Sequence, residues 1–335
     1  MCRDSFVIAK IECFECAIIL GSGDLMNILV TGGAGFIGSH LVRQLLALGH
    51  EVTVLDNLST GAREHLPVGG FIFWKLDDRT EEARERIMAG HFDVIVHLAA
   101  QTMVDASIRD PYFDASENVM GTVNVLEAAR LSGVKRVIFA STAAAYGNVE
   151  ATLLPLREDL PLEPLSFYGL TKVMVEHYLA LYHALYGLDY VVLRFANVYG
   201  ERQGDKGEGG VISIFAKRVA HGEQLTIFGD GSQTRDFIYA GDIANGIVHA
   251  LTTEYANTAY NLSTQTETSL NDLVTIFGKA VGQELHSVHQ SARAGDIYRS
   301  MLANEKAGTF MEWKPKVSLE EGLRRTVRYF TTIDC

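Results

Sequence analysis

The sequence predicts an α/β protein: a Rossmann-like, doubly wound parallel sheet with a smaller C-terminal α/β lobe. Three observations predict this fold. Short runs rich in Val, Ile and Phe alternate with longer amphipathic stretches, as expected where parallel strands alternate with helices. A glycine-rich turn follows the first of these runs. After about residue 196 the sequence becomes irregular and rich in glycine, which is typical of a substrate-binding lobe at the carboxyl ends of the strands.

Composition and charge narrow the class of protein further. The 335 residues include 47% hydrophobic and 21% charged side chains, enough apolar material for a folded core. The 41 acidic residues outnumber the 29 basic ones, which argues against a nucleic-acid partner. No uninterrupted apolar run of about 18 residues is present, so we expect no membrane span. The four cysteines (Cys2, Cys13, Cys16 and Cys335) leave the body without a disulfide framework, and a cytoplasmic location is expected.

Residues 1–25 are interpreted as an N-terminal extension without a catalytic role. Met26 resembles a fresh start, because a strand-like run follows it directly. The segment before it lacks the basic and unbroken apolar regions of a signal peptide. Its single CxxC, Cys13 to Cys16, has no second ligand pair, and the histidines show no HxxxH or HExxH spacing, so no metal site is predicted.

The elements can be taken in chain order. The candidate strands are Ile28–Thr31, Val52–Asp56, Phe71–Trp74, Val94–Leu98, Val137–Ala140 and Tyr190–Phe195. The helical stretches between them include Gly38–Leu48, Asn118–Leu131 and Thr171–Tyr186. We therefore assign residues 26–195 to a dinucleotide-binding domain, to which 236–258 returns. Residues 196–235 and 259–335 are assigned to the substrate-binding lobe.

The first turn predicts the cofactor. Gly32, Gly35 and Gly38, with Phe36 and Ile37 between the last two, form a GxxGxxG pattern between a strand and a helix. Glycines there allow a tight turn and the approach of a pyrophosphate to the helix N-terminus. Asp56, at the end of the second strand, would accept hydrogen bonds from the adenosine ribose and repel a 2′-phosphate. The pattern therefore predicts NAD rather than NADP.

A Tyr and a Lys carry the predicted chemistry. Tyr168 and Lys172 are four residues apart on a helical stretch and so share one face. A neighbouring ammonium and a positive nicotinamide ring would lower the pKa of the tyrosine, making it a base for a sugar hydroxyl. Thr142 lies just past the fifth strand, where ligands of such sheets bind, and its hydroxyl could contact the reacting oxygen.

Six motifs together resemble the extended short-chain dehydrogenase/reductase family, and within it the nucleotide-sugar 4-epimerases. They are GGAGFIG (32–38), HLAAQ (97–101), STAAAYG (141–147), YGLTK (168–172), RFANVYG (194–200) and TRDFIY (234–239). The similarity covers about residues 26–332. It implies a UDP-sugar substrate, NAD as cofactor and a homodimer formed through the helical stretches at 118–131 and 171–186.

The resemblance also implies roles for individual residues. The catalytic set would be Thr142, Tyr168 and Lys172. The NAD site would include Gly32, Gly35, Phe36, Ile37, Gly38, Asp56, Asn57, Asp77, Asp78, Leu98, Ala99, Ala100, Gln101, Asn118, Tyr168 and Lys172. The substrate would contact Thr142, Tyr168, Asn197, Val211, Arg235, Arg293, Asp296 and Ser300. Arginine suits a diphosphate because its planar guanidinium binds phosphate oxygens in pairs.

Three departures from the family pattern are visible. Asp78 stands where an aliphatic residue is usual, so the pocket for the adenine base is expected to differ. Ala294 replaces the usual proline between Arg293 and Asp296. The segment 201–210 differs from the usual Gly-Pro-Arg continuation.

The residues after Thr142 favour one reaction over its relatives. Related 4,6-dehydratases carry an acid and a base there, and related decarboxylases a glutamate, whereas this chain has Ala143 and Ala144. Without an additional proton-transferring group, such a site can only remove a hydride from C4 and return it. The sequence therefore predicts epimerisation of UDP-glucose and UDP-galactose at C4. The small Ser300, four residues after Asp296, leaves room for an N-acetyl group, so UDP-GlcNAc and UDP-GalNAc are expected too.

Other functions remain open at the level of sequence. UDP-glucuronate is an alternative substrate, since no carboxylate-binding arginine can be assigned. A dehydratase or a reductase that releases its reduced cofactor is another alternative. A non-catalytic NAD-sensing binder is disfavoured, because Thr142, Tyr168 and Lys172 are all present.

Overall fold

The computed structural model describes residues 25–204, 210–292 and 298–333. The four cysteines, the CxxC spacing and nearly all of the predicted extension lie outside the described residues. So do Arg293 and Asp296.

A seven-stranded parallel sheet organises the larger part of the chain. Its strands span Asn27–Thr31 (β1), Glu51–Leu55 (β2), Ile72–Trp74 (β3), Val94–His97 (β4), Arg136–Thr142 (β5), Asp189–Phe195 (β6) and Thr258–Leu262 (β11). From one edge to the other, they run in the order β11-β6-β5-β4-β1-β2-β3. The strand order reverses between β1 and β4, and such a switch point opens a crevice at the carboxyl ends of the strands.

Helices cover both faces of the sheet, confirming the doubly wound α/β class. They are Phe36–Ala47 (α1), Glu81–Ala89 (α2), Val104–Arg109 (α3), Pro111–Ala115 (α4), Gly121–Ser132 (α5), Phe167–Tyr186 (α6), Val211–Ala220 (α7), Ala240–Thr252 (α8), Leu270–Val281 (α9), Glu305–Phe310 (α10) and Leu319–Ile333 (α11). Within the described ranges no helix is both long and apolar enough to cross a bilayer.

Alternate residues of the strands supply two separate cores. Ile28 and Val30 of β1 pack with α1 and α8 on one face, whereas Leu29 packs with α2, α5 and α6 on the other. This alternation is the period of two that every β-strand shows. Burial on both faces explains why the strands are continuous apolar runs in the sequence.

A third core holds the smaller lobe together. Its short strands are Asn197–Tyr199 (β7), Leu225–Phe228 (β8), Thr234–Arg235 (β9), Phe237–Tyr239 (β10), Thr268–Ser269 (β12) and Ser287–Gln290 (β13). They form three two-stranded pairs, β7 with β10, β8 with β13 and β9 with β12. Helices α7, α9 and α11 contribute the apolar side chains that pack against them.

One boundary differs from the sequence assignment. Strand β11 joins the large sheet beside β6, although residues from 259 onward were assigned to the smaller lobe. Trp313 also packs in the core of the large sheet, where its indole N–H donates to the carbonyl of Asp242 at 3.1 Å. The strand was missed because its polar Asn261 breaks the apolar run; Tyr146 and the Leu156 carbonyl satisfy that amide only in the folded protein.

Candidate active site

The glycine turn after β1 is packed too tightly for side chains. Gly32 has a φ of +65°, and a Cβ there would lie 2.7 Å from the backbone nitrogen of Ala99. A Cβ at Gly38 would lie 2.2 Å from the carbonyl oxygen of Gly32. The turn is therefore pressed between the end of β4 and the first turn of α1. The free N–H groups at that helix end suit the negative charge of a pyrophosphate.

Asp56, at the end of β2, ties this turn to the neighbouring strand. Its carboxylate accepts the backbone N–H of Ala34 at 2.9 Å and that of Leu58 at 2.8 Å. Burial raises the pKa of this carboxyl, while the two N–H groups and His65 act in the opposite direction. Each oxygen has a second lone pair that a ribose hydroxyl could use. The glycine turn and this carboxylate thus fit a bound NAD.

Two neighbouring acids after β3 have different surroundings. Asp77 pairs with Arg79, which holds the pKa of the Asp77 carboxyl at about 2. The same guanidinium contacts Glu117 at 2.5 Å. Asp78 lines the cavity at this end, and Asp77 does not.

His97 of β4 is a packing residue in this structure. One ring nitrogen lies 2.7 Å from the Thr31 hydroxyl and the other 2.9 Å from the Thr122 hydroxyl. Burial lowers the pKa of His97 to about 3, so the ring is neutral at physiological pH. These contacts hold the end of β4, from which Leu98 and Ala99 line the cavity.

Asn118 supports the cavity wall from behind. Its amide accepts the backbone N–H of Gln101 at 2.8 Å and donates to the Gln101 carbonyl at 3.0 Å. It also lies 3.2 Å from the hydroxyl of Thr171 on α6. Neither Asn118 nor Gln101 lines the cavity. These hydrogen bonds connect the segment after β4 to α6.

The predicted catalytic side chains meet where β5 ends and α6 begins. The Ser166 hydroxyl caps α6 by accepting the backbone N–H of Gly169 at 3.1 Å. Lys172, one turn into the helix, donates from Nζ to the Ala140 carbonyl at 2.9 Å. Its Nζ lies 6.0 Å from the centre of the Tyr168 ring. Thr142 ends β5, and its hydroxyl accepts the Ala144 N–H at 3.1 Å.

Burial changes the acidity of Lys172. Its side chain is 3% exposed, and this loss of solvation lowers the pKa of Lys172 to about 8, although Asp114 and Glu176 act in the opposite direction. Below this pKa the Lys172 ammonium is charged and can stabilise the phenolate of Tyr168.

A cavity of about 790 Å³ joins these groups. Most of the residues expected at the site line it: Gly32, Gly35, Phe36, Ile37, Gly38, Asp56, Asn57, Asp78, Leu98, Ala99, Ala100, Thr142, Tyr168, Lys172, Asn197, Val211 and Arg235. The structure does not place Asp77, Gln101, Asn118 or Ser300 on its lining.

The far end of the cavity contains residues that sequence reasoning missed. Gln203, Arg218, Thr226, Phe228 and Gln233 line it there. Arg218 lies on α7, and its guanidinium donates to the Thr226 hydroxyl of β8 at 2.8 Å. Glycines at 229 and 231 follow β8 and are typical of a turn, but nothing local in the sequence indicates that the neighbouring side chains face the site.

Comparisons with known proteins agree with this geometry. Residues 28–263 match the model of the NAD dependent epimerase/dehydratase family. The chain is 42% identical over 310 residues to the UDP-glucose 4-epimerase of Mycolicibacterium smegmatis, covering 91% of this chain and 98% of that protein.

Solved structures show the same architecture. The UDP-glucose 4-epimerase of Thermotoga maritima, solved with UDP-glucose, is 42% identical with a TM-score of 0.88, covering 92% of this chain and 99% of the other. The Thermus thermophilus UDP-glucose 4-epimerase, solved with NAD, is 41% identical with a TM-score of 0.83 and the same coverage of both chains. The chain therefore belongs to the NAD-dependent epimerase/dehydratase family, as an NAD-dependent isomerase of the UDP-sugar 4-epimerase type.

Proposed function

We propose that this enzyme interconverts UDP-glucose with UDP-galactose, and UDP-GlcNAc with UDP-GalNAc, by inverting C4 through a transient 4-keto sugar. One observation carries the proposal. Among the described residues, the carboxyl groups that line the cavity are Asp56, Asp78 and Glu117, all at the end beyond the glycine turn. Within the described ranges, the catalytic end offers Tyr168, Lys172 and Thr142 and has no carboxyl group on its lining for eliminating water.

The three catalytic side chains would have separate roles in the reaction. Tyr168 removes the proton from the sugar O4, because the Lys172 ammonium stabilises the phenolate that this requires. Thr142 donates a hydrogen bond to the same oxygen as it becomes a carbonyl. NAD supplies reversible hydride transfer at C4. Return of the proton from Tyr168 completes the reaction with no net oxidation.

Inversion also requires that the sugar turn while its nucleotide stays held. Arg235 lines the cavity on β9, and its guanidinium donates to the Thr234 carbonyl at 2.8 Å, which fixes its position. We propose that Arg235, with Arg293 and Asp296, holds the diphosphate and ribose. Asn197 on β7 would contact the substrate beside them.

Ser300 would set the range of sugars. It lies two residues before Leu302, whose N–H donates to the buried Asp236 at 3.3 Å. Asp236 directly follows Arg235 of β9, and this hydrogen bond supports a position for Ser300 near that strand. A small side chain there leaves room for an N-acetyl substituent at C2.

A homodimer formed through α6 is part of the proposal. Apolar side chains are exposed along one face of this helix, at helical spacing: Phe167, Leu170, Met174, Tyr178, Leu181 and Leu185. Met120 and Leu131, at the two ends of the α5 region, are exposed as well. A continuous apolar face of this kind marks an interface more often than a solvated surface.

The test uses purified protein without added cofactor. UDP-galactose, UDP-GalNAc and UDP-glucuronate are supplied separately, and their anomeric protons are followed by NMR. We expect the first two to give their C4 epimers, and Tyr168→Phe to abolish both conversions. Turnover of UDP-glucuronate alone would replace the proposed substrates with a uronate. A 4-keto-6-deoxy product would show dehydration instead, and accumulation of NADH with free keto sugar would show net oxidation.

The assignment of Ser300 is tested separately. Ser300→Tyr should lower turnover of UDP-GalNAc by about 5- to 150-fold, because added bulk where the N-acetyl group must fit costs about 1–3 kcal/mol. Turnover of UDP-galactose should change by less than about threefold. An equal loss for both sugars would show that Ser300 does not select the substituent. Ser300→Ala is the matched control and should leave both rates unchanged.

A further inference from the structure

Asp78 is a buried acid that the catalytic mechanism does not use. It follows β3, lines the cavity, and is 7% exposed. Its side chain lies against α5, where a Cβ on Gly121 would be 3.0 Å from Oδ1. Among the described residues, Oδ2 has no hydrogen-bond partner. A buried carboxylate oxygen without a hydrogen-bond partner disfavours the charged form relative to the neutral acid.

The charges around Asp78 also favour its neutral form on balance. Asp77 and Arg79 face it from its own turn, and Glu117 faces it from the helical turn Ser116–Met120 before α5. The single guanidinium of Arg79 already pairs with both Asp77 and Glu117. Asp78 therefore faces two other carboxylates and a cation that they neutralise.

The pKa of Asp78 reflects both causes. Burial is the larger, and the charges of Asp77 and Glu117 add to it, so that the pKa of this carboxyl is raised to about 7. The neutral acid is thus available at physiological pH. It can donate its O–H, whereas a carboxylate can only accept.

The position of Asp78 in the cavity indicates what it meets. It lies on the β2–β3 side of the glycine turn, as does Asp56, which suits the adenosine ribose. The adenine of NAD therefore reaches this end. Adenine carries unprotonated ring nitrogens, which accept hydrogen bonds. Asp77 is committed to Arg79 and does not line the cavity.

We propose that the neutral Asp78 carboxyl donates its O–H to a ring nitrogen of adenine, and that NAD binding is therefore coupled to the uptake of one proton at Asp78. The proton comes from the buffer and is released again when NAD leaves. Binding removes the remaining water from the carboxyl, which favours its neutral form further. The enzyme would hold NAD most tightly in mildly acidic solution and less tightly as the pH rises.

The test measures cofactor binding rather than turnover. Holoenzyme is dialysed to equilibrium at pH 6, 7, 8 and 9 against known NAD concentrations, and the bound NAD is extracted and quantified by chromatography. Uptake of one proton weakens binding by at most tenfold per pH unit above the pKa of the free carboxyl. For the wild type we expect the Kd to rise about 10- to 100-fold between pH 7 and pH 9.

Asp78→Asn is the decisive variant, because its amide has nearly the same shape and cannot ionise. Its Kd should change by less than about threefold across this pH range. Lys172 also titrates near pH 8 but is the same in both proteins, so the difference between them isolates Asp78. Asp159→Asn, at an exposed position outside this cavity, is the matched control and should keep the wild-type rise.

Two results would overturn the proposal. One is a wild-type Kd that is constant from pH 6 to pH 9. The other is an Asp78→Asn protein that shows the same rise as the wild type. If Asp78→Asn does not fold, Asp78→Ser gives the same comparison. A second readout is calorimetric titration of NAD in buffers of different ionisation enthalpy, which should report proton uptake for the wild type and none for the variant.

Discussion

Lys172 shows how position in the fold sets the chemistry of a single side chain. The pKa of an exposed lysine is about 10.4, but burial lowers the pKa of Lys172 to about 8. The carbonyl of Ala140 fixes its ammonium between β5 and Tyr168. A motif of Tyr and Lys four residues apart predicted the pair, whereas the altered acidity follows from burial.

Replacement of Lys172 by Met should lower kcat by about 10²- to 10⁴-fold, because the phenolate of Tyr168 loses the charge that stabilises it. The initial rate of UDP-galactose conversion measures this change. Circular dichroism should show an unchanged fold. A loss of less than threefold would exclude the proposed role of Lys172.

The pH profile tests the same residue without a mutation. Lys172 is charged below its pKa of about 8 and neutral above it. We therefore expect kcat/KM to fall as the pH rises through about 8. Lys172→Arg should remove this descending limb, since arginine stays charged throughout the range. A profile that is flat from pH 7 to 9 would contradict the assignment.

The neighbouring acids Asp77 and Asp78 show the limit of residue-level prediction. Both were expected at the NAD site, but only Asp78 lines the cavity. The reason is Arg79, which pairs with Asp77 and Glu117 and draws the first acid away. A sequence motif records which residues are adjacent but not which partner each side chain finds.

The turn between β1 and α1 leaves no room for an added side chain. Gly38→Ala should weaken NAD binding at least tenfold, because the new Cβ would lie 2.2 Å from the Gly32 carbonyl and the turn must open. NAD retained after gel filtration measures this loss. Gly308→Ala is the control, since its Cβ would meet nothing nearer than 3.7 Å. Equal NAD content in the two variants would show that the glycine turn does not bind the pyrophosphate of NAD.

The exposed face of α6 gives a prediction at the same scale. Leu181 is 57% exposed on that face. Leu181→Glu should convert the proposed homodimer to a monomer, because it would bury a charge in an apolar interface. Sedimentation equilibrium measures the mass. Val68→Glu, at an exposed position away from α6, should leave the mass unchanged. A monomeric wild type would refute the dimer directly.

Across the whole molecule, a buried polar network connects the catalytic helix to the sheet. Glu176 of α6 pairs with Arg194 of β6 at 2.7 Å and accepts from Ser141 of β5 at 2.6 Å. Arg194 also donates to the hydroxyl of Tyr146, which donates to Asn261 on β11. The network therefore fixes the rotation of α6, and with it the direction of Tyr168 and Lys172.

Breaking this ion pair should affect the stability of the whole fold. Arg194→Met leaves the carboxylate of Glu176 buried without its cation, so we expect the free energy of unfolding to fall by about 3–5 kcal/mol. Urea denaturation measures the change. Arg86→Met, in the exposed pair with Glu82, should cost less than about 1 kcal/mol. A loss for Arg194→Met as small as that of Arg86→Met would show that the buried ion pair adds no stability.

Much of the fold and site could be predicted, for a physical reason. Strands buried on both faces must be apolar, and helices between them must be amphipathic, so six of the seven strands of the main sheet were visible in the sequence. The glycine turn and the Tyr–Lys pair were visible because their chemistry depends on short spacings. Strand β11 was not, since its Asn261 is satisfied by distant partners.

The sequence by itself determined the class of fold and the cofactor, and it predicted the Tyr–Lys pair, because each depends on residues close together in the chain. Tertiary structure alone decided which candidates reach the cavity. It kept Asp77 and Asn118 off the lining, brought Arg218 and Gln203 to it, and buried Asp78 so that its Oδ2 has no hydrogen-bond partner among the described residues. These outcomes depend on contacts between residues far apart in sequence, and on the loss of water around them, neither of which local patterns record.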